Sequence, residues 1–265
     1  MNVFFFGPQD LQLYGAYHAP DFSRDRRAGI VLCPPVGQGY IRTHRAFLQL
    51  ANRLSAAGYH VLRFDYSATG DSAGESASGH PRQWITDIGL AVQELRDTAD
   101  MTHISLIGLR LGATLAAVYA AGAPEISRLL LWEPALNGRT YLAGLASAQD
   151  QWLADLLYPP PAEAVQPKSV EYGGFPYPET LHAGIEELDL FALRPPGHQE
   201  VLILQNQKEP TARPLADLWV GHTRSCLYRH LPGARIWVKE SGGGAVLIPA
   251  ETLSAITDYF CGEAE

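Results

Sequence analysis

Cysteine is scarce in this 265-residue chain. Cys33, Cys226 and Cys261 are odd in number and far apart, which fits neither a disulfide framework nor paired metal-ligand spacing, so reduced thiols are expected. No apolar stretch approaches the roughly 18 residues of a membrane span, and the first residues, Met1 to Gly7, lack the basic and apolar regions of a secretion signal. A cytoplasmic location with no membrane span is therefore expected. Runs of Lys and Arg are also missing, and the net charge of −8 argues against a nucleic-acid partner. There is no internal repeat, no low-complexity tract, no dinucleotide fingerprint after a first strand and no Walker motif, so no cofactor is expected. The histidines show no metal spacing, and no metal is expected. His222 and His230 are read as lying two turns apart on one helix.

What is present is an apolar content of 46% against 18% charged residues, a balance that supports a buried core and, at this length, one large domain spanning 1–265. From Gly29 onward short apolar runs alternate with helical patterns, the signature of parallel strands joined by crossover helices. Strands are predicted at Ile30–Cys33, Val61–Phe64, Ile104–Ile107, Leu129–Trp132, Val201–Leu204 and Ala234–Val238. Val3–Phe6 and Leu11–Tyr17 read as an antiparallel hairpin turning at Gly7-Pro8. The interval between Trp132 and Val201 breaks the rhythm. Its Tyr158-Pro159-Pro160-Pro161 and Phe175-Pro176-Tyr177-Pro178 stretches suggest an inserted cap over 138–197, since a structureless loop of that length is improbable in a compact domain.

In open parallel sheets, ligands sit at the carboxyl ends of the strands, so chemistry is sought just after each one. After Ile107 comes Gly108-Leu109-Arg110-Leu111-Gly112 and then a helix. A sharp strand-to-helix turn needs small residues two before and two after its apex, which is the physical content of the G-x-S-x-G nucleophile elbow. The glycines are in place, but the apex is Arg110, whose guanidinium stays protonated and cannot attack a carbonyl.

Other landmarks agree with an elbow. Phe64 to Ser72 resembles the D-x-x-G-x-G-x-S turn of the α/β-hydrolase superfamily, with Ser67 and Ala68 where an Arg-Gly pair is usual. Leu32-Cys33-Pro34-Pro35, the Gly-Asp-Ser turn, Gly108 to Ala113 and Leu130-Leu131-Trp132-Glu133-Pro134 together look like exosortase A system-associated hydrolases and serine-aminopeptidase-like proteins of biosynthetic clusters. The resemblance implies an α/β-hydrolase fold: a mostly parallel central sheet with helices on both faces and an inserted cap. It also implies an acid after the strand Val201–Leu204, where Glu209 stands, and a histidine after the last strand, where Ala245 stands instead. A substrate or oxyanion loop is implied at Cys33, Pro35 and Val36, with Leu111 and Ser67 beside it. Neither nucleophile nor base of a Ser–His relay is found at these positions.

Arg110 should line the space between sheet and cap, with Glu133 emerging beside it. The two can form a structural ion pair that plugs the site, or Arg110 can orient an anionic group of a ligand. Three functions remain open. One is an enzyme without a covalent intermediate, acting on a small anionic or acyl-bearing biosynthetic intermediate by elimination, isomerisation or rearrangement, with Glu133 or Glu209 as base and Arg110 stabilising negative charge. The others are a non-catalytic binding or scaffold protein, and a residual ester or thioester hydrolase using carboxylate-activated water. The expected partner is a small-molecule substrate or ligand, and a homodimer is an open option. Cys33 is read as a buried strand thiol and His44 as a solvated or capping residue. Arg110 is expected at a positive or bridge-region backbone angle. Fluorophosphonate probes should leave every serine unlabelled by mass spectrometry, and stoichiometric labelling of any serine would contradict this reading of the elbow.

Overall fold

The computed structural model describes residues 1–99, 101, 103–154, 170–238 and 248–262. The chain opens with the hairpin expected from its first residues, β1 (Asn2–Phe6) and β2 (Leu13–His18). Then come β3 (Ala28–Cys33), α1 (Gln38–Ala56), β4 (His60–Phe64), α2 (Pro81–Ala99), β5 (His103–Leu109), α3 (Leu111–Ala121) and β6 (Ile126–Trp132). Between β6 and β9 (Glu200–Gln205) the chain inserts α4 (Gly138–Ala154), a short hairpin of β7 (Val170–Tyr172) and β8 (Phe175–Tyr177), and α5 (Glu179–Glu186). It ends with α6 (Arg213–Trp219), β10 (Ser225–His230) and α7 (Ala250–Cys261).

Eight strands form one sheet in the order β1-β2-β4-β3-β5-β6-β9-β10, antiparallel at the first two pairings and parallel from β4 onward. The period-two alternation of side chains feeds two cores. Ile30, Leu32, Leu130, Trp132, Leu202 and Leu204 pack on the face covered by α1 and α7. Val31, Cys33, Leu129, Leu131, Val201 and Ile203 pack on the other face, under α2, α3 and α6. Burial on both faces is why these strands read as continuous apolar runs. Among the described residues, no helix is long and apolar enough to cross a membrane.

Two sequence expectations fail at the end of the chain. The segment 234–238 is no strand: it is irregular and turn-like, with Ile236 and Trp237 buried as loop anchors on the α1/α7 face. The last strand is β10, an edge strand whose exposed Leu227 and polar Arg229 and His230 disguise it. For the same reason His222 and His230 do not share a helix: His222 lies in the turn after α6 and His230 closes β10. The 158–161 stretch and Ala245 lie outside the described residues.

The elbow has the expected shape. Strand β5 ends at Leu109, α3 begins at Leu111, and Arg110 between them has φ 56° and ψ −123°. A Cβ on Gly112 would lie 2.2 Å from the Pro34 carbonyl oxygen and 2.4 Å from that of Cys33, so only glycine lets α3 start this close to the end of β3. Gly112→Ala should therefore lower stability by about 3 kcal/mol in urea unfolding, as an overpacked backbone contact does. Gly144→Ala, on the exposed face of α4 with nothing within 4 Å of the new Cβ, should instead raise it by about 0.5 kcal/mol.

Candidate active site at the strand-to-helix elbow

Backbone bonds hold the elbow. Arg110 N–H donates to the Trp132 carbonyl at 3.0 Å, and the Arg110 carbonyl accepts from Ala113 and Ala135 at 3.1 and 3.3 Å. The half-buried guanidinium lies over the ring of Trp237 at 5.2 Å and over that of Tyr141 at 5.6 Å. Both distances are within cation–π range. Burial lowers the Arg110 pKa from its ordinary value, with Tyr141 and Glu133 opposing that shift and the nearby Arg235 adding to it. Burial raises the pKa of Tyr141, partly offset by Arg110 and by the neighbouring Tyr177 hydroxyl.

Glu133 follows β6 directly and is fully buried, with a positive φ of 49°. Its N–H continues the ladder to the Leu204 carbonyl at 2.8 Å. Its Oε1 accepts from the backbone N–H of Asn206 and from that of Gln207, the latter at 2.8 Å. Its Oε2 has no hydrogen-bond partner among the described residues. The ion pair considered from the sequence does not form: Arg110 is held by aromatic faces and Glu133 by backbone amides, and the two attract without contact. Asn206 organises this corner. Its Oδ1 accepts from Trp132 Nε1 at 2.6 Å, and its Nδ2 donates to the Leu231 carbonyl at 2.7 Å and to Thr252 Oγ1 at 2.9 Å.

The other residues singled out from the sequence separate into two groups. Leu111 opens α3 beside Arg110, while Pro35 and Val36 line a cleft of about 80 Å³ whose far wall is Phe175, Tyr177 and Leu181 of the inserted segment. Cys33 is buried at the end of β3, where burial pushes its thiol pKa far up and leaves it no nucleophile. Ser67 is tied to α2, since its N–H and hydroxyl both donate to Asp87 Oδ2, at 2.8 and 2.7 Å. Glu209 is exposed in the loop after β9, and no hydrogen bond or ion pair joins it to Arg110 or Glu133. His44 is exposed on α1, its ring edge-on to Tyr40 at 6.1 Å.

A model of the serine aminopeptidase S33 family matches residues 25–168, more than half of the chain. The chain belongs to this family. No curated protein matches the sequence. Among solved structures, Est1E from Butyrivibrio proteoclasticus with bound ferulic acid is similar over 98% of both chains, with 14% identity and a TM-score of 0.68. XC6422 from Xanthomonas campestris, described as an a/b serine hydrolase without lid, is similar over 97% of this chain and 92% of its own, with 14% identity and a TM-score of 0.62. The mouse alpha/beta hydrolase domain-containing protein 10 is similar over 98% of both chains, with 18% identity and a TM-score of 0.58. At such identities the shared property is the α/β-hydrolase fold.

In this S33-family chain Leu111 comes directly after Arg110 and Glu133 directly after the neighbouring strand, while Pro35 and Val36 line the cleft, which neither Arg110 nor Glu133 lines; the sequence reading did not point to Tyr141, Trp237, Arg235 or Asn206. Asn206 was legible in principle, as a polar residue at the carboxyl end of a buried strand. The other three reach the elbow from an inserted helix and an irregular loop, and no local pattern marks them. The bonds of Glu133 give a stability test. Glu133→Ala would leave the buried N–H of Asn206 and the half-buried N–H of Gln207 without this acceptor and should cost about 3 kcal/mol in urea unfolding. Glu133→Gln keeps an acceptor oxygen for them and should cost about 1 kcal/mol. Equal losses would mean that the charge, not the acceptor, is what the fold uses.

Proposed function

We propose that this S33-family member binds a small anionic, acyl-bearing biosynthetic intermediate at the elbow and acts on it without a covalent serine intermediate, by elimination, isomerisation or rearrangement. The observation that carries this reading is the state of Arg110: a half-buried guanidinium held between two aromatic rings and not neutralised by contact with Glu133. A desolvated cation in that state favours an anion beside it, and the planar fork of donors suits a carboxylate or an enolate. The neighbouring Arg235 adds positive charge toward solvent. Glu133 Oε2, free of hydrogen bonds among the described residues, is the proton acceptor, and Arg110 stabilises the negative charge that proton removal creates. Segment 138–197 acts as the cap: its hairpin and α5 close the cleft against Pro35 and Val36, where the uncharged part of the ligand lies. Arginine at the nucleophile position removes the Ser–His relay from this account.

One observation favours a second reading, that of a binding or scaffold protein. Glu133 is 0% exposed, and Trp237 and Tyr141 cover the guanidinium, so a ligand that displaces neither could be held without being changed. Calorimetric titration with a panel of short carboxylates and acyl thioesters separates the two. Arg110→Gln should weaken carboxylate binding by about tenfold or more, the worth of a charge-assisted hydrogen-bond pair, while the far-UV spectrum stays unchanged. Product formation from a bound member of the panel, lost in Glu133→Gln, supports the enzyme; binding without turnover supports the scaffold. Carboxylate binding that is indifferent to Arg110→Gln defeats both.

A further inference from the structure

Away from the elbow, the first turns of α1 and the paired strands β2 and β4 enclose a second cavity, of about 40 Å³. Residue spacing builds it. Tyr40, Thr43, His44 and Phe47 stand at helical intervals on the side of α1 that lines it. Beneath them Arg63, on β4, and Asp65, just beyond it, are two residues apart and so share one side of the sheet. Ala16 of β2 is the register partner of Arg63, and its small side chain leaves the space open. A cavity of this volume holds about three water molecules, roughly the bulk of a ligand with about six non-hydrogen atoms. Neither Arg110 nor Glu133 lines it, and Tyr40 is the residue it shares with the cleft under the inserted segment.

Two opposite charges face this space without meeting. The half-buried Arg63 donates from Nε to His18 Nε2 at 3.2 Å, and its Nη2 has the Met1 sulfur at 3.5 Å. Its Nη1 has no hydrogen-bond partner among the described residues. Asp65 is buried, and accepts from the Tyr40 hydroxyl at 2.7 Å through Oδ1 and from the Asp71 N–H at 3.0 Å through Oδ2, which leaves each oxygen able to accept once more. Burial lowers the pKa of Arg63 and raises that of Asp65, the directions expected of charges short of a partner. Burial, with Arg63 adding to it, lowers the pKa of His18 to about 4 and also lowers that of His44, so neither adds a charge at neutral pH.

We infer that this cavity binds a small zwitterion of the α-amino acid class, its carboxylate on the free donors of Arg63 and its ammonium on Asp65. A simple anion would gain Arg63 but face Asp65, and a simple cation the reverse. A molecule that carries both charges one carbon apart partners both at once. Leu32 and Phe47 give the remaining wall an apolar lining that suits a short aliphatic side chain. The site stands apart from the elbow and does not rest on what the elbow binds.

Calorimetric titration of the full chain with L-alanine tests the site. L-alanine should bind with a dissociation constant of about 1 mM, about tenfold or more tighter than propionate, which lacks the ammonium, or ethylamine, which lacks the carboxylate. Arg63→Gln and Asp65→Asn should each weaken L-alanine binding by about tenfold or more, while Arg110→Gln leaves it unchanged. Asp65 is buried, so should Asp65→Asn fail to fold, the half-buried Arg63 decides. Propionate binding as tight as that of L-alanine overturns the zwitterion, and no L-alanine binding up to about 50 mM overturns the site. Binding lost in Arg110→Gln but kept in Arg63→Gln also overturns it, and moves the ligand to the elbow.

Discussion

The close approach of α3 to the end of β3 is the constraint on which the rest of the site depends. The backbone of Gly112 presses on the carbonyls of Cys33 and Pro34, and Gly108 lies against the backbone of Ala113, so neither position has room for a Cβ. With those contacts made, the residue between β5 and α3 has no regular conformation left to it and takes a positive φ. That geometry lifts the Arg110 side chain off the sheet toward α4 and the loop after β10, where Tyr141 and Trp237 receive it. The turn does not depend on what its apex side chain can do, so an arginine can stand there.

Asn206 supplies the complementary constraint at the neighbouring strand ends. Through one side chain and one amide it joins Trp132 and Glu133 after β6, Leu231 after β10 and Thr252 on α7. Trp132, Glu133 and Thr252 are buried, and Asn206 gives each of them a hydrogen bond. The same residue therefore fixes the carboxylate of Glu133 and the start of the loop that carries Arg235 and Trp237. Arg110 and Glu133 adopt positive φ at the ends of adjacent strands, and each is held by a ladder bond to the next strand, Arg110 to Trp132 and Glu133 to Leu204. Strain of this kind persists only where the surroundings over-determine it.

Much of this architecture could be read from residue order. Buried parallel strands are apolar without interruption, so β3, β4, β5, β6 and β9 stand out in the sequence, and the paired glycines mark the turn between β5 and α3. Reading failed where burial and secondary structure part company. Ile236 and Trp237 are apolar because they anchor a loop, and Cys226 to His230 look polar because an edge strand has one wet face. Glu133 and Glu209 were equal candidates by chain position; only the fold distinguishes a carboxylate buried on two amides from one in solvent. Ser67 looked like a pocket residue from its place in the turn, yet its hydroxyl serves Asp87 on α2.

The stacking of Arg110 on Trp237 and Tyr141 has a thermodynamic corollary. An arginine free in solvent gives up on the order of 2 kcal/mol of rotamer entropy when a ligand immobilises it. Here that loss occurs as the chain folds, against two rings that are themselves buried. The anionic ligand proposed for the elbow would then meet a side chain already oriented, and its selection would rest on shape and on the direction of the guanidinium fork rather than on how much disorder it suppresses.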